Sequence, residues 1–168
     1  MNPVHTAQGE NVQGFDIENN IRVATPDDYQ EIFRIACLLH SENGQFSFNE
    51  RKVKNIIWNA VNRNGGMCAV IGPVDNIKAM LLLTIEEVYY SDEFEIVERW
   101  NYVRPDCRKS NYAKQMVAYA KQVCAQTGLV VSIGIISDIK LEAKRRLYER
   151  TLKLGGYWFT IRPEARPA

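Results

Sequence analysis

Apolar residues recur along this chain in two periods, and the switch between them marks out the elements. Tyr29, Ile32, Phe33, Ala36 and Leu39 fall at the three- and four-residue spacing of a helix with one buried face, running to about His40. The preceding TPDD supplies its start: Thr25 as N-cap, Pro26 at the first helical position and Asp28 three residues after the cap. Val53, Ile56, Ile57, Ala60 and Val61 predict a second helix, with Ser47 and Glu50 as its capping pair and Asn64-Gly65-Gly66 as its stop. Ala113, Met116, Val117, Ala120, Val123 and Cys124 predict a third, from about Tyr112 to Thr127, ended by Gly128. A fourth is expected over about Ile139 to Leu154, ended by Gly155-Gly156.

Between these lie shorter runs that read as strands: Ile21–Ala24, Met67–Ile71, Ile77–Val88, Glu95–Val103, Val130–Ile135 and Tyr157–Ile161. Ile77–Val88 barely alternates, so it is expected near the middle of a sheet with both faces covered. Pro105 ends the run before it. The order β-α-α-β-β-β-α-β-α-β puts hairpins in the first half and a β-α-β crossover in the second. The chain is expected to be a flexible arm over residues 1–19 and a single α/β domain over residues 20–168, with a mixed α+β sheet.

Composition narrows the function classes more than it names one. The 168 residues carry a net charge of +1 with 46% hydrophobic and 24% charged residues, so a broad basic field for nucleic acid is not expected. No apolar run approaches the roughly 20 residues of a membrane span. The four cysteines, Cys37, Cys68, Cys107 and Cys124, form no C-x-x-C pair, and only His5 and His40 could join them. No metal site and no disulfide framework are expected, and the chain reads as a cytoplasmic protein with reduced thiols.

The chemistry-bearing stretch is NYVRPDCRKSNYAKQMVAYA, Asn101 to Ala120, where a strand turns into a helix. A helix N-terminus offers unpaired N–H groups and a partial positive charge, which suit a phosphate. Arg108 and Lys109 add charge there, Ser110 adds a hydroxyl, Asn111 tolerates unusual backbone angles, and Ala113 keeps the first turn open. The turn has no glycine, and as it stands it also fits a solvated corner with two surface cations.

Two segments resemble motifs of the GNAT superfamily of acetyl-CoA-dependent N-acetyltransferases. Tyr102-Val103-Arg104-Pro105-Asp106-Cys107 followed by Arg108-Lys109-Ser110-Asn111-Tyr112-Ala113 is similar to that family's strand end and its Arg/Gln-x-x-Gly-x-Gly/Ala loop. Asn111 stands in place of the first glycine. Leu141-Glu142-Ala143-Lys144-Arg145-Arg146-Leu147-Tyr148-Glu149-Arg150 resembles N-x-x-A-x-x-L-Y-E-(Arg/Lys), with Leu141 and Lys144 in the Asn and Ala places. The closing Gly156-Tyr157 comes about one helical turn late, which keeps Tyr148 on its face. A looser likeness is to the GNATs of phages and prophages.

The resemblance implies a GNAT fold: a central, mostly antiparallel sheet of six to seven strands with a splayed parallel pair, and about four helices. It implies acetyl-CoA as co-substrate and a primary amine as acceptor. The pantetheine arm would enter between the strand ending at Tyr102 and Val103 and the strand Val130–Ile135. Arg108, Lys109, Ser110, Asn111, Tyr112, Ala113 and Lys114 would hold the phosphates. Tyr148 would be the general acid, and a carboxylate, Glu98 first and Glu42 second, the water-mediated base. Trp100 and Tyr102 share strand parity with Glu98, so they are expected on its face of the sheet, as acceptor-pocket wall or as core. The cluster Lys144-Arg145-Arg146 is expected to be a solvated helix face. Many GNATs pair as homodimers, a state the resemblance allows. Two alternatives stay open: a catalytically relaxed GNAT-fold binding protein, and a GNAT using another acyl-CoA.

Overall fold

A computed structural model of the chain describes residues 20–135 and 140–156. The elements follow the expected order: β1 (Ile21–Val23), α1 (Tyr29–Asn43), α2 (Glu50–Val61), β2 (Gly66–Ile71), β3 (Ala79–Glu87), β4 (Phe94–Val103), α3 (Tyr112–Thr127), β5 (Val130–Ser132) and α4 (Leu141–Thr151). Short 3-10 turns at Pro26–Asp28 and Pro105–Cys107 lead into α1 and towards α3. The expected arm over 1–19, the start of the fourth helix at Ile139 and the strand Tyr157–Ile161 lie outside the described residues.

Among the described residues the sheet has five strands in the order β1-β2-β3-β4-β5, against the six to seven expected. β1 through β4 are antiparallel neighbours, and β4 and β5 are parallel. β3 is the middle strand, and Ala79 to Leu83 are buried without alternation because helices cover both faces. One face packs Cys68, Val70, Met80, Leu82 and Tyr102 against Ile32, Ile35 and Ala36 of α1 and Ile57, Ala60 and Val61 of α2. The other packs Ala69, Ile71, Leu81, Leu83 and Ile96 against Met116, Tyr119, Ala120 and Val123 of α3. The turn between β2 and β3 depends on Gly72, whose φ is +114° and where a Cβ would meet the Asn76 carbonyl at 2.4 Å.

The start of α1 keeps the expected reciprocal contact, the Thr25 N–H donating to Asp28 Oδ2 at 2.8 Å. The start of α2 moves. Asn49, not Ser47, is the N-cap, its side chain accepting from the Lys52 N–H at 3.0 Å. Asn and Ser cap about equally well, so the cap goes to whichever residue the loop places next to the first turn.

A register shift in β4 corrects a second expectation. Leu82 pairs with Trp100 and Leu83 with Glu98, which leaves Arg99 as an extra residue on β4. Paired residues share a face of the sheet. Leu83 belongs to the α3 face and Leu82 to the α1–α2 face, so Glu98 stands opposite to Trp100 and Tyr102. Simple alternation would have put all three on one side.

Candidate active site

β4 is longer than its parallel neighbour. It pairs with β5 only at Glu95, Ile96 and Val97, and β5 ends at Ser132 while β4 continues to Val103. From Glu98 onward β4 has no β5 partner. Because α3 connects the two strands, its N-terminus comes to this parted end, the usual place for a ligand beside a parallel pair. α4 crosses the same region. Together they enclose a cleft of about 160 Å³ lined by residues of α1, β4, the Arg108–Ala113 segment and α4.

Of the sequence candidates, Glu42, Tyr102, Val103, Arg108, Ser110, Ala113 and Tyr148 all line this cleft. Lys109, Asn111, Tyr112, Lys114 and Glu98 do not. The turn before α3 is partly closed from within. The Ser110 hydroxyl donates to the Cys107 carbonyl at 2.6 Å and its oxygen accepts from the Tyr112 N–H at 3.2 Å. The Ser110 N–H donates to the Cys107 carbonyl at 3.0 Å. The N–H groups of Lys109, Asn111, Ala113 and Lys114 have no acceptor among the described residues and keep the donor character of an open helix end.

Arg108 is already engaged. It forms an ion pair with Glu42 of α1, donates from Nε to the Val103 carbonyl at 3.2 Å, and lies over the Tyr102 ring at 5.6 Å. The other Glu42 oxygen accepts from the Tyr102 hydroxyl at 2.7 Å. Burial, then the Glu42 contact, pushes the Tyr102 phenol up to about 12, so it stays a donor. This clasp closes the α1 side of the cleft. Sequence spacing gave no sign of it, since Glu42 and Arg108 are 66 positions apart.

Tyr148 points the other way across the cleft. Its hydroxyl accepts from Asn101 Nδ2 at 3.1 Å. Burial first and the neighbouring Glu98 second raise its pKa well above the ordinary phenol value, against the Asn101 donor. Glu98 keeps part of its surface accessible, but its Oε2 is sealed off without a hydrogen-bond partner. Burial pushes this carboxyl up to about 8, and the Lys144 ammonium pulls it back only in part.

Lys144 departs from the expected solvated face. Arg145 and Arg146 are exposed, whereas Lys144 is half-buried and lines the cleft one turn before Tyr148. Burial, then Arg108, lowers its pKa, with Glu98 and Glu42 opposing. Asn101, Lys140, Ala143 and Leu147 also line the cleft and were not singled out from the sequence. The signal for α4 was its helical period: residues 140, 144, 147 and 148 share one face.

No family model and no curated protein matches the sequence. Solved structures do match in shape. A protein of Clostridium acetobutylicum, called a predicted acetyltransferase and solved with acetyl-CoA, is 13% identical, with 84% of this chain and 94% of that chain covered at a TM-score of 0.66. A ribosomal-protein-alanine N-acetyltransferase of Brucella melitensis biovar Abortus 2308 is also 13% identical, covering 84% and 96% at 0.61. An aminoglycoside acetyltransferase from an uncultured soil metagenomic sample, in complex with trehalose, is 16% identical, covering 88% and 100% at 0.59. With the mixed sheet, parted parallel strands and four helices of its described residues in this order, the chain adopts the GNAT acetyltransferase fold.

Proposed function

We propose that this protein is an acetyl-CoA-dependent N-acetyltransferase that passes an acetyl group to a primary amine by direct attack. The observation that carries the proposal is the cleft at the parted end of β4 and β5. The Tyr148 hydroxyl and the open N-terminus of α3 meet there, within a fold shared with acetyltransferases. Acetyl-CoA supplies an acyl carbon activated as a thioester. The donors present fit such a ligand: the free N–H groups of Ala113 and Lys114 suit a diphosphate, with Lys109 and Asn111 flanking them. On its β5 side, β4 has no strand partner at Tyr102 and Val103 among the described residues, which leaves room for an extended arm.

Tyr148 stays protonated at neutral pH and donates to the departing sulfur as the carbon–sulfur bond breaks. Glu98 takes the proton lost by the amine, through water. A carboxyl titrating at about 8 is matched to a base working near neutral pH. Glu42 lines the cleft, but both of its oxygens are occupied by Arg108 and Tyr102, so its role in this scheme is to hold Arg108 in place. The free thiols of all four cysteines fit a reducing, cytoplasmic setting, and no helix among the described residues is long and apolar enough to cross a membrane.

One observation favours the second reading, a binding protein that no longer transfers acetyl groups. Arg108 and the Ser110 hydroxyl are used inside the protein instead of facing outward. Calorimetric titration with acetyl-CoA separates the two. Micromolar to millimolar binding with thiol release across a panel of amines supports the transferase; no heat at millimolar acetyl-CoA removes it.

A further inference from the structure

The charges in the cleft say which ligands it can accept. Arg108, Lys140 and Lys144 line it against one carboxylate, Glu42, and that carboxylate is held by Arg108 and Tyr102. The ammonium groups of Lys140 and Lys144 make no ion pair or hydrogen bond with any described residue, although the Lys144 N–H donates to the Lys140 carbonyl at 3.1 Å. Among the described residues Glu98 is the other acid near Lys144, but it does not line the cleft, and burial pushes its carboxyl up to about 8. A half-buried ammonium with no carboxylate in direct contact is unfavourable, and a ligand that brings one relieves it. Among the described residues lining the cleft, a polycation meets two lysine ammonium groups without a direct partner and no carboxylate that is not already held. Lys144 stands one helical turn from Tyr148, near the point of transfer.

We infer that Lys144 receives a carboxylate carried by one of the two reacting groups, the amine or the acyl, and that polyamines are excluded. The inference rests on the acyl-transfer proposal for its place in a reaction. The recognition itself does not require transfer. The carboxylate has two sources, the amine acceptor or a dicarboxylic acyl group on coenzyme A, and Lys144 recognises both by the same ion pair. The rest of the transfer is unchanged: the amine nitrogen bonds to the acyl carbon, the carbon–sulfur bond breaks, and the thiol leaves with a proton.

The test is an NMR titration of the isotope-labelled full chain with succinate and, separately, spermidine, repeated on Lys144→Met. Succinate is expected to shift the Ala143, Lys144 and Asn101 amides, spermidine to leave them unmoved, and Lys144→Met to abolish the succinate response. No succinate response, an equal response to spermidine, or a response surviving in Lys144→Met overturns the inference. So does coenzyme A alone blocking succinate, since its phosphates would then be the counter-ion. If succinate responds and acetyl-CoA gives no heat in calorimetry, the transferase proposal falls and the anion site stands.

Thiol release then identifies the source. One arm sets glutamate as acceptor against spermidine and ethanolamine, with acetyl-CoA. The other sets succinyl-CoA against acetyl-CoA, with ethanolamine. The carboxylate-bearing partner in one arm is expected to gain about tenfold or more in kcat/KM, lost in Lys144→Met. A preference for spermidine, or no preference in either arm, overturns the inference.

Discussion

Two arginine–carboxylate clasps divide the molecule into a part that holds its shape and a part that meets a ligand. Arg22 grips Asp28 with both terminal nitrogens, at 2.8 and 2.6 Å, and donates from Nε to the Gly72 carbonyl at 3.1 Å. The Asp28 side chain is 0% exposed, and the Thr25 N–H also donates to it. Both Asp28 oxygens accept hydrogen bonds, and neither Arg22 nor Asp28 lines the cleft beside β4 and β5. The Arg108–Glu42 clasp has the same charges, but its carboxylate stays 19% exposed against 0% for Asp28, and both of its residues line the cleft. The first joins β1 to the start of α1 over six positions, and the second joins α1 to the loop before α3 over 66. A short-range clasp around a fully buried carboxylate works as structure. A long-range clasp on a cleft wall sets the position of groups that a ligand can touch.

Breaking the structural clasp should have the largest effect. Asp28→Ala leaves Arg22 without its partner and is expected to lose about 3 kcal/mol of stability in urea unfolding, with acetyl-CoA binding by the remaining folded fraction unchanged. Burial alone would raise the Asp28 carboxyl, but the Arg22 and Thr25 hydrogen bonds outweigh it and the native value is lowered. Stability from this group is therefore full above the ordinary aspartate range of about 3.9 and is lost as pH falls through the lower native value. Melting temperatures of wild type and Asp28→Asn should converge in acid; parallel curves would remove the clasp from the acid response.

On the cleft side, Tyr148→Phe is expected to lower kcat about 100-fold, with acetyl-CoA affinity changed little in calorimetry. Unchanged turnover would remove Tyr148 from the reaction. Glu98→Gln comes next, at about tenfold in kcat/KM, and should erase an ionisation near pH 8 from the rate profile. It also carries a stability signature of opposite sign to Asp28. An unfolded glutamate loses its proton near 4.3, while the native one keeps it to about 8, so wild-type stability falls as pH rises across that window. Glu98→Gln should flatten this fall and be the more stable protein at pH 8. A wild-type-like slope in thermal melts would contradict the buried acid.

Glu42→Gln should have the smallest effect, about 1 kcal/mol in stability, because the amide still accepts from Tyr102 and Arg108 can reach water. Its use is to sharpen the contrast between the clasps. A freed Arg108 should bind acetyl-CoA more tightly if the guanidinium then turns to phosphate, and less tightly if Glu42 had been holding it in the useful place.

The sequence alone determined the order of elements, the central position of β3 and the apolar faces of α1, α2 and α3, because burial periods of 2 and 3.6 are written in local spacing. It also placed Tyr148 on one face of the fourth helix and the Arg108–Ala113 turn at the start of the third, where spacing is local. Only the tertiary structure decided what faces what. A single extra residue at Arg99 turned Glu98 away from Trp100 and Tyr102, and no composition signal marks such a bulge. Glu42 meeting Arg108, Asn101 meeting Tyr148 and Lys144 entering the cleft instead of solvent all join segments distant in the chain. Their energies depend on desolvation and on distances that exist only once the sheet has folded and its parallel pair has parted.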